Sequence, residues 1–150
     1  MAVRVQEAIF DPGRLLADFT KARQSTGGIA SFLGLVRDAH GGRTVQALTL
    51  EHYPGMTEKQ LHAIEAEAHR RWPLLDSLIV HRVGRMLPGE PIVFVATAST
   101  HRQAALDACA FLIDWLKTDA PFWKYEETGE GGHWVEARAS DKMARDRWQS

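Results

Sequence analysis

The chain lacks most features that would assign it to a specialised class of protein. Its 150 residues include one cysteine, Cys109, so no internal disulfide can form and a reducing compartment is indicated. No apolar stretch approaches membrane-spanning length, and the N-terminus has no signal-peptide run. The formal net charge of −1 gives no global positive field for nucleic acid. We therefore expect a single cytoplasmic domain over residues 1–150 that binds neither membrane nor nucleic acid.

Familiar cofactor and metal motifs are missing as well. The sequence has no P-loop and no G-x-G-x-x-G turn. None of its seven histidines forms an H-x-x-x-H pair, and His62 and His69 lie two turns apart on one predicted helix, too far to share a metal ion. Cys109 lies among apolar residues in the middle of another predicted helix, a setting typical of a buried structural thiol rather than a nucleophile. We predict no metal site and no bound cofactor.

The hydrophobic pattern predicts an α+β fold. Alternating or continuous apolar runs predict strands at 3–5, 29–36, 45–51, 78–83, 92–98, 122–127 and 133–137. The apolar runs 29–36 and 92–98 predict buried strands, the second of them central. The order βαββαββαββ favours a mostly antiparallel sheet with the helices on one face.

Punctuating residues predict where the helices begin and end. Asp11 caps a first helix, and a capping box of Thr57 and Gln60 opens a second that runs to about Arg71. A box of Thr100 and Gln103 opens a third helix, which ends before a proline. The glycine-bearing segment 37–43 reads as a mobile surface loop. Residues 140–150 fit either a short helix or a tail.

The third helix carries the candidate chemistry at its two ends. His101 and Arg102 occupy its first positions, beside free backbone N–H groups and the positive end of the helix dipole, where an anion binds well. A cation there is unfavourable unless an anion joins it. A plain solvated helix start explains the pair equally well from the sequence.

Two lysines and an arginine extend this cationic set. Lys117 lies at the foot of the same helix, Lys124 follows among aromatic residues, and Arg37 ends a strand. Taken singly, each has an ordinary explanation: favourable interaction with the dipole, snorkelling, or a strand-end charge. Arg138 is a weaker candidate. In an otherwise neutral chain, the set as a whole suits a phosphorylated metabolite.

Several motifs resemble the MoaE family, the large catalytic subunit of molybdopterin synthase. They are GLVRD at 34–38, LTLEHYPGMTEK at 48–59, HRVGRMLPGE at 81–90, STHR at 99–102, DWLKTDAPFWKYE at 114–126 and WVEAR at 134–138. They occur in family order and cover the chain from about Gly27 to Trp148.

The resemblance implies both an architecture and a reaction. The fold would be of the α/β hammerhead type with an added antiparallel β subdomain. The enzyme would be a sulfurtransferase that converts cyclic pyranopterin monophosphate (precursor Z) into the dithiolene of molybdopterin. Sulfur would come from the thiocarboxylate of a small ubiquitin-like carrier of the MoaD type, which ends in Gly-Gly. A homodimer would bind two carriers as a heterotetramer, with no metal or redox cofactor required.

The resemblance also implies roles for individual residues. Lys117 takes the position of the principal catalytic lysine and Lys124 that of a supporting lysine. The implied substrate contacts are Leu35, Val36, Arg37, His101, Arg102, Lys117, Lys124, Tyr125 and Glu126. The lysines could neutralise the thiocarboxylate, stabilise an acyl intermediate or move protons, and the sequence leaves these roles open.

Two alternatives and one geometric conflict remain at this point. A non-catalytic dimeric module that binds a phosphorylated pterin or nucleotide would use the same anion site. Single-stranded nucleic-acid binding through exposed aromatics is the third reading, and the neutral charge disfavours it.

His101 and Lys117 are 16 residues apart on one helix, roughly 24 Å at about 1.5 Å per residue, too far for one small ligand. We therefore predict that each site takes residues from two subunits.

Overall fold

The computed structural model describes residues 1–136 and 139–149, which form two sheets and the helices that cover them. The elements are β1 (Ala2–Gln6), α1 (Pro12–Thr20), β2 (Gly28–Leu35), β3 (Ala39–His40), β4 (Arg43–His52), α2 (Met56–Arg71), β5 (Leu74–Arg82), β6 (Gly84–Met86), β7 (Pro91–Ser99), α3 (Arg102–Thr118), β8 (Phe122–Thr128), β9 (Gly131–Val135) and α4 (Ala139–Asp146). The α+β prediction is confirmed, and the segment at 140–150 that the sequence left open contains a helix.

The first sheet has the strand order β1-β5-β7-β2. Strand β7 is interior, as predicted, and only the β1–β5 pairing is parallel. Helices α2 and α3 cover the face that carries Ile79, while α1 covers the opposite face with Phe19 packed against Val80 and Phe94. The expectation that all helices lie on one face is therefore wrong for α1. Strands β5 and β7 are apolar on both faces, so each face requires a cover.

Strand β2 is less buried than its apolar run predicts. Phe32, Leu33 and Leu35 are all more than a third exposed, because β2 is the edge strand of the sheet and pairs on one side only with β7. Within the predicted run 29–36, burial is found only for Ala30 and Gly34 of β2 and for Val36 just beyond its end. A continuous apolar run does not distinguish an interior strand from an edge strand that leaves one face open.

The second sheet has the order β3-β4-β8-β9, and β6 also pairs with β4. The segment 37–43, predicted to be a loop, instead forms the short strand β3 and a tight hairpin to β4. Gly41 and Gly42 both have positive φ, which a two-residue hairpin of type I′ requires. Beneath this sheet, a small core of Val36, Leu48 and Met86 joins the end of β2 to β4 and β6.

Both predicted capping boxes are wrong. Helix α2 is capped at Gly55, whose N–H donates to Glu58, while the hydroxyl of Thr57 accepts from the N–H of Tyr53. Helix α3 is capped at His101, one residue later than predicted, because the Gln103 amide donates to a carboxylate one turn further on. In both cases the polar side chains have another partner nearby, and the sequence pattern does not resolve this competition.

Helix α4 is held against α3 by polar and aromatic contacts. Arg145 pairs with Asp119, and the Trp148 indole N–H donates to Asp114 at 2.7 Å. The Trp148 ring also packs edge-on against Trp72 and against Phe111 in the main core. Within residues 1–136 and 139–149, no helix has the length and hydropathy needed to span a membrane.

Candidate active site

The two predicted lysines lie close together at the C-terminal end of α3, which we call its foot. Lys117 lies in the last turn of α3 and Lys124 on β8, and both side chains line the same two cavities. The first cavity is also lined by Arg37, Glu126 and Asp141. The second, of about 440 Å³, has a more apolar wall that includes Leu50, Ile113, Leu116, Phe122 and Trp123. The lysine pair therefore lies where a polar cavity and an apolar cavity meet.

The end of β2 supplies one wall of the polar cavity. The Val36 side chain is buried in the small core below, and its N–H donates to the Glu90 carbonyl at 2.9 Å. This anchors the chain so that Leu35 and Arg37, on either side of Val36, are exposed and line the cavity. Their arrangement follows from strand alternation around one buried valine.

Alternation along β8 separates the remaining predicted contacts. Lys124 and Glu126 face the polar cavity, whereas Tyr125 faces the other side of the strand and packs edge-on against Trp134. Gly132 lets the Tyr125 ring lie across it, because an added Cβ would lie 1.9 Å from the Tyr125 hydroxyl oxygen and the ring would have to shift. A substrate contact by Tyr125 stays a prediction that this geometry within one chain does not support.

The lysine ammonium groups are in an unfavourable electrostatic setting. Burial lowers the pKa of Lys117; the carboxylate of Asp141 opposes this shift, and the charge of Arg37 adds to it. Burial also lowers the pKa of Lys124, and the neighbouring charge of Lys117 lowers it further. An anion that enters between the lysines relieves this repulsion, and a neutral amine is more accessible here than on an exposed lysine.

Glu126 is fixed by two histidines at the rim of the polar cavity. Its Oε1 lies 3.0 Å from Nδ1 of His40 and 3.5 Å from Nε2 of His133, and its side chain is largely buried. The hairpin at Gly41 and Gly42 delivers His40 to this position. Glu126 is thus anchored by its neighbours and faces the lysines with a fixed carboxylate.

The N-terminal end of α3, which we call its head, carries a separate cationic site. His101 and Arg102 are exposed and line a surface depression with Gly27 and Thr100. Gly27 permits the close approach of β2 to the helix start, because an added Cβ would lie 1.9 Å from the Thr100 carbonyl oxygen. Arg102 opens a helix whose first turn contains no acidic residue, so the positive end of the dipole is available to an anion.

One chain therefore brings together only part of the predicted set. Leu35, Val36, Arg37, Lys117, Lys124 and Glu126 lie at the foot of α3, His101 and Arg102 lie at its head, and Tyr125 lies outside both groups. Arg138 falls outside the described residues. Cys109 is buried in the main core, and burial raises the pKa of its thiol to about 11, which agrees with a structural role.

Three residues near the lysines were not predicted from the sequence. Asp141 reaches the polar cavity from α4, His40 anchors Glu126, and His81 lines the apolar cavity. A signal was present for His81, since it follows an apolar run in phase with the inward-facing Ile79. Asp141 gave no such signal, because the docking of α4 depends on contacts distant in sequence.

Comparison with known proteins identifies the family of this chain. The MoaE protein family model matches residues 5–119. The chain belongs to the MoaE family. A molybdopterin synthase catalytic subunit from Pseudomonas aeruginosa is 58% identical over 149 residues, which are 99% of each chain. The curated relatives share that name, so this is a family of enzyme subunits of molybdenum cofactor biosynthesis.

Solved structures of MoaE proteins match over nearly the whole chain. A molybdopterin biosynthesis MoaE protein from Burkholderia ambifaria matches with a TM-score of 0.83 and 50% identity, covering 100% of this chain and 99% of its own. Molybdopterin synthase from Staphylococcus aureus matches with a TM-score of 0.80 and 30% identity, covering 88% and 95%. The fold expected of a MoaE protein, a hammerhead-type α+β fold with an antiparallel subdomain, is thereby confirmed.

Proposed function

We propose that this chain transfers sulfur from the C-terminal thiocarboxylate of a small ubiquitin-like carrier to cyclic pyranopterin monophosphate, forming the dithiolene of molybdopterin. The observation that carries the proposal is the position of Lys117 and Lys124 between a polar and an apolar cavity. Two reactants can approach one pair of cations from different sides. The proposed reactants are those that resemblance to the MoaE family implies, and membership of that family supports the proposal.

Each cavity suits one reactant. The apolar cavity beside Phe122 and Trp123 suits an extended Gly-Gly tail, which has no side chains to exclude. The polar cavity beside Arg37 suits the pterin, whose amide-like edges need polar partners. The thiocarboxylate then reaches the substrate beside the two lysines.

The lysines act as fixed cations at the point of transfer. The thiocarboxylate and the phosphorylated substrate are both anionic, so their encounter in a half-buried site requires positive charge that is already in place. Because burial lowers the pKa of both lysines, either amine can also give or accept a proton at lower cost than an exposed lysine. Lys117 is the principal catalytic group in this scheme, and Lys124 supports it.

The phosphate is assigned to the head of α3. His101, Arg102 and the free N–H groups of the first helical turn form a site for an anion. This site belongs to the same ligand only if a second copy of the chain brings it to the lysines, so the proposal includes a homodimer. With one carrier bound to each copy, the assembly is a heterotetramer.

The proposal is tested by direct reconstitution. The purified chain is incubated with precursor Z and a thiocarboxylated carrier, and molybdopterin is measured after oxidation to a fluorescent pterin. Product is expected with the thiocarboxylate and not with the same carrier ending in a carboxylate. Tight binding of precursor Z without turnover, under conditions where a known synthase is active, would favour a non-catalytic binding module instead.

A further inference from the structure

His81 lies in the wall of the apolar cavity and is a polar residue with no role in the proposed mechanism. Its side chain is only 6% exposed, and it lies on the α3 side of β5, opposite Val93 of β7 and Val5 of β1. Phe122 stacks on the imidazole with 4.0 Å between ring centroids and 19° between planes. The ring is thus fixed in orientation by an aromatic residue of the same cavity.

The hydrogen bond on one side of the ring defines what the other side can do. Nδ1 lies 2.9 Å from the carbonyl oxygen of Arg82, which can only accept, so Nδ1 carries the proton. Nε2 of a neutral ring then presents a lone pair. Burial lowers the pKa of His81 to about 4, and the charges of Lys117 and Lys124 contribute to the shift. Within the described part of the chain, no protein group bonds to Nε2.

An extended peptide in this cavity needs such an acceptor. The lysines can satisfy its carbonyl and thiocarboxylate oxygens but not its N–H groups, since an ammonium group only donates. Two other side-chain acceptors line the cavity among the described residues. Glu136 is exposed and Thr118 is partly exposed, so His81 is the buried acceptor among the three. A backbone N–H left without a partner in an apolar channel carries a substantial cost.

We propose that Nε2 of His81 accepts a hydrogen bond from a backbone N–H of the carrier's terminal Gly-Gly and so holds the thiocarboxylate beside Lys117 and Lys124. His81 is then a positioning residue that recognises the peptide backbone of the tail. The inference rests on the proposed function, because it requires that a Gly-Gly tail enters the apolar cavity. The proposed role of His81 in binding the tail is distinct from the role proposed for the two lysines.

The test measures carrier binding by calorimetry with two carriers and three forms of the full chain. One carrier ends in the ordinary Gly-Gly carboxylate, and the other lacks both glycines. His81→Phe keeps the ring stack and removes the acceptor, while His81→Gln keeps an acceptor oxygen. We expect His81→Phe to weaken binding of the full carrier about tenfold and to leave binding of the truncated carrier unchanged. We expect His81→Gln to recover part of the lost affinity for the full carrier.

Each other outcome has a distinct meaning. If truncation weakens wild-type binding but His81→Phe binds the full carrier normally, the role of His81 is wrong and the tail channel stands. If His81→Phe weakens both carriers equally, its effect is structural and the inference also fails. If truncation does not weaken wild-type binding, the tail does not use this cavity and the proposed function fails with it. His81→Met replaces His81→Phe should the latter not fold.

Discussion

At the scale of single residues, the lysine pair illustrates how burial changes the acid–base properties of an ordinary side chain. Lys117 and Lys124 repel each other, and both are partly shielded from bulk water at the junction of two cavities. The sequence indicated both positions as members of a cationic set, but their catalytic roles came only from family resemblance, because a lysine at a helix C-terminus and one in an aromatic strand each have simpler explanations. The two lysines meet because β8 pairs with β4, and this pairing places β8, with Lys124, next to the C-terminal end of α3.

Replacement of Lys117 by alanine should abolish activity without loss of stability. A half-buried cation beside a second cation is unfavourable, so its removal costs little stability and can even raise the melting temperature. We expect sulfur transfer to fall by at least about 100-fold, the usual scale for loss of a fixed charge at a reacting centre. Reconstituted turnover and thermal unfolding measure the two quantities. Lys59→Ala, an exposed change on α2, is the matched control, and near-normal turnover by a folded Lys117→Ala protein would refute the role.

The buried imidazole of His81 should make folding stability depend on pH. Its pKa is about 4 in the folded chain against an ordinary value near 6.5, so between these values the unfolded chain binds a proton that the folded chain does not. The free energy of unfolding therefore falls as the pH falls from about 6.5 to 4. This group contributes up to about 3 kcal/mol over that window.

Urea unfolding of wild type and His81→Phe at pH 7 and pH 4.5 measures this contribution. Any loss of packing lowers the free energy of unfolding of the variant at both pH values. Only the wild type should lose additional free energy of unfolding on acidification, because only it has an imidazole at position 81. Glu65, a buried carboxyl whose pKa burial raises, titrates in both proteins and cancels in the comparison. Parallel pH profiles for the two proteins would show that His81 is not held neutral in the folded chain.

At the scale of elements, the sequence predicted strands and helices where periodicity was strong and erred where local signals compete. Strand β7 and helix α3 follow from continuous apolar patterns and are present at the predicted positions. Strands β3 and β6 are too short to show a period, and both exist because β4 is long enough to pair with them. Helix α4 depends on Trp148 reaching the core beside Phe111, which no local pattern reveals.

The apolar cavity should reject a carrier with bulky terminal residues. A Gly-Gly tail brings no side chains against its wall of Phe122, Trp123 and Ile113, whereas we expect branched side chains to collide with this wall beside the lysines. Replacing the last two glycines of the carrier by leucine should reduce turnover by at least about 100-fold, since each clash or displaced contact costs on the order of 1–3 kcal/mol. Turnover is measured at saturating precursor Z.

A graded series provides the control for this prediction. Alanine at the same two carrier positions should give an intermediate loss, because a single methyl group is a smaller obstruction than an isobutyl group. Thiocarboxylation of each carrier is verified by mass before the assay. Equal turnover for the glycine, alanine and leucine tails would mean that the tail reaches the lysines by another route.

At the scale of the whole molecule, the two ends of α3 pose the central problem. The cationic head at His101 and Arg102 and the lysine foot lie at opposite ends of a helix of 17 residues, roughly 25 Å at about 1.5 Å per residue. One small pterin phosphate cannot touch both within a single chain. A two-fold dimer removes the conflict, because the head of each copy can meet the foot of the other. Leu106, 56% exposed in the second turn of α3, is apolar surface that such a partner would cover.

Complementation between two inactive variants tests this account most directly. Arg102→Ala and Lys117→Ala homodimers should each be almost inactive, and a mixed dimer of one chain of each should contain one intact site. We expect the mixed dimer, purified with two different tags and verified by mass, to recover about half of wild-type activity. If verified mixed dimers remain as inactive as either parent, head and foot do not share a ligand across two copies, and the two-chain site is wrong.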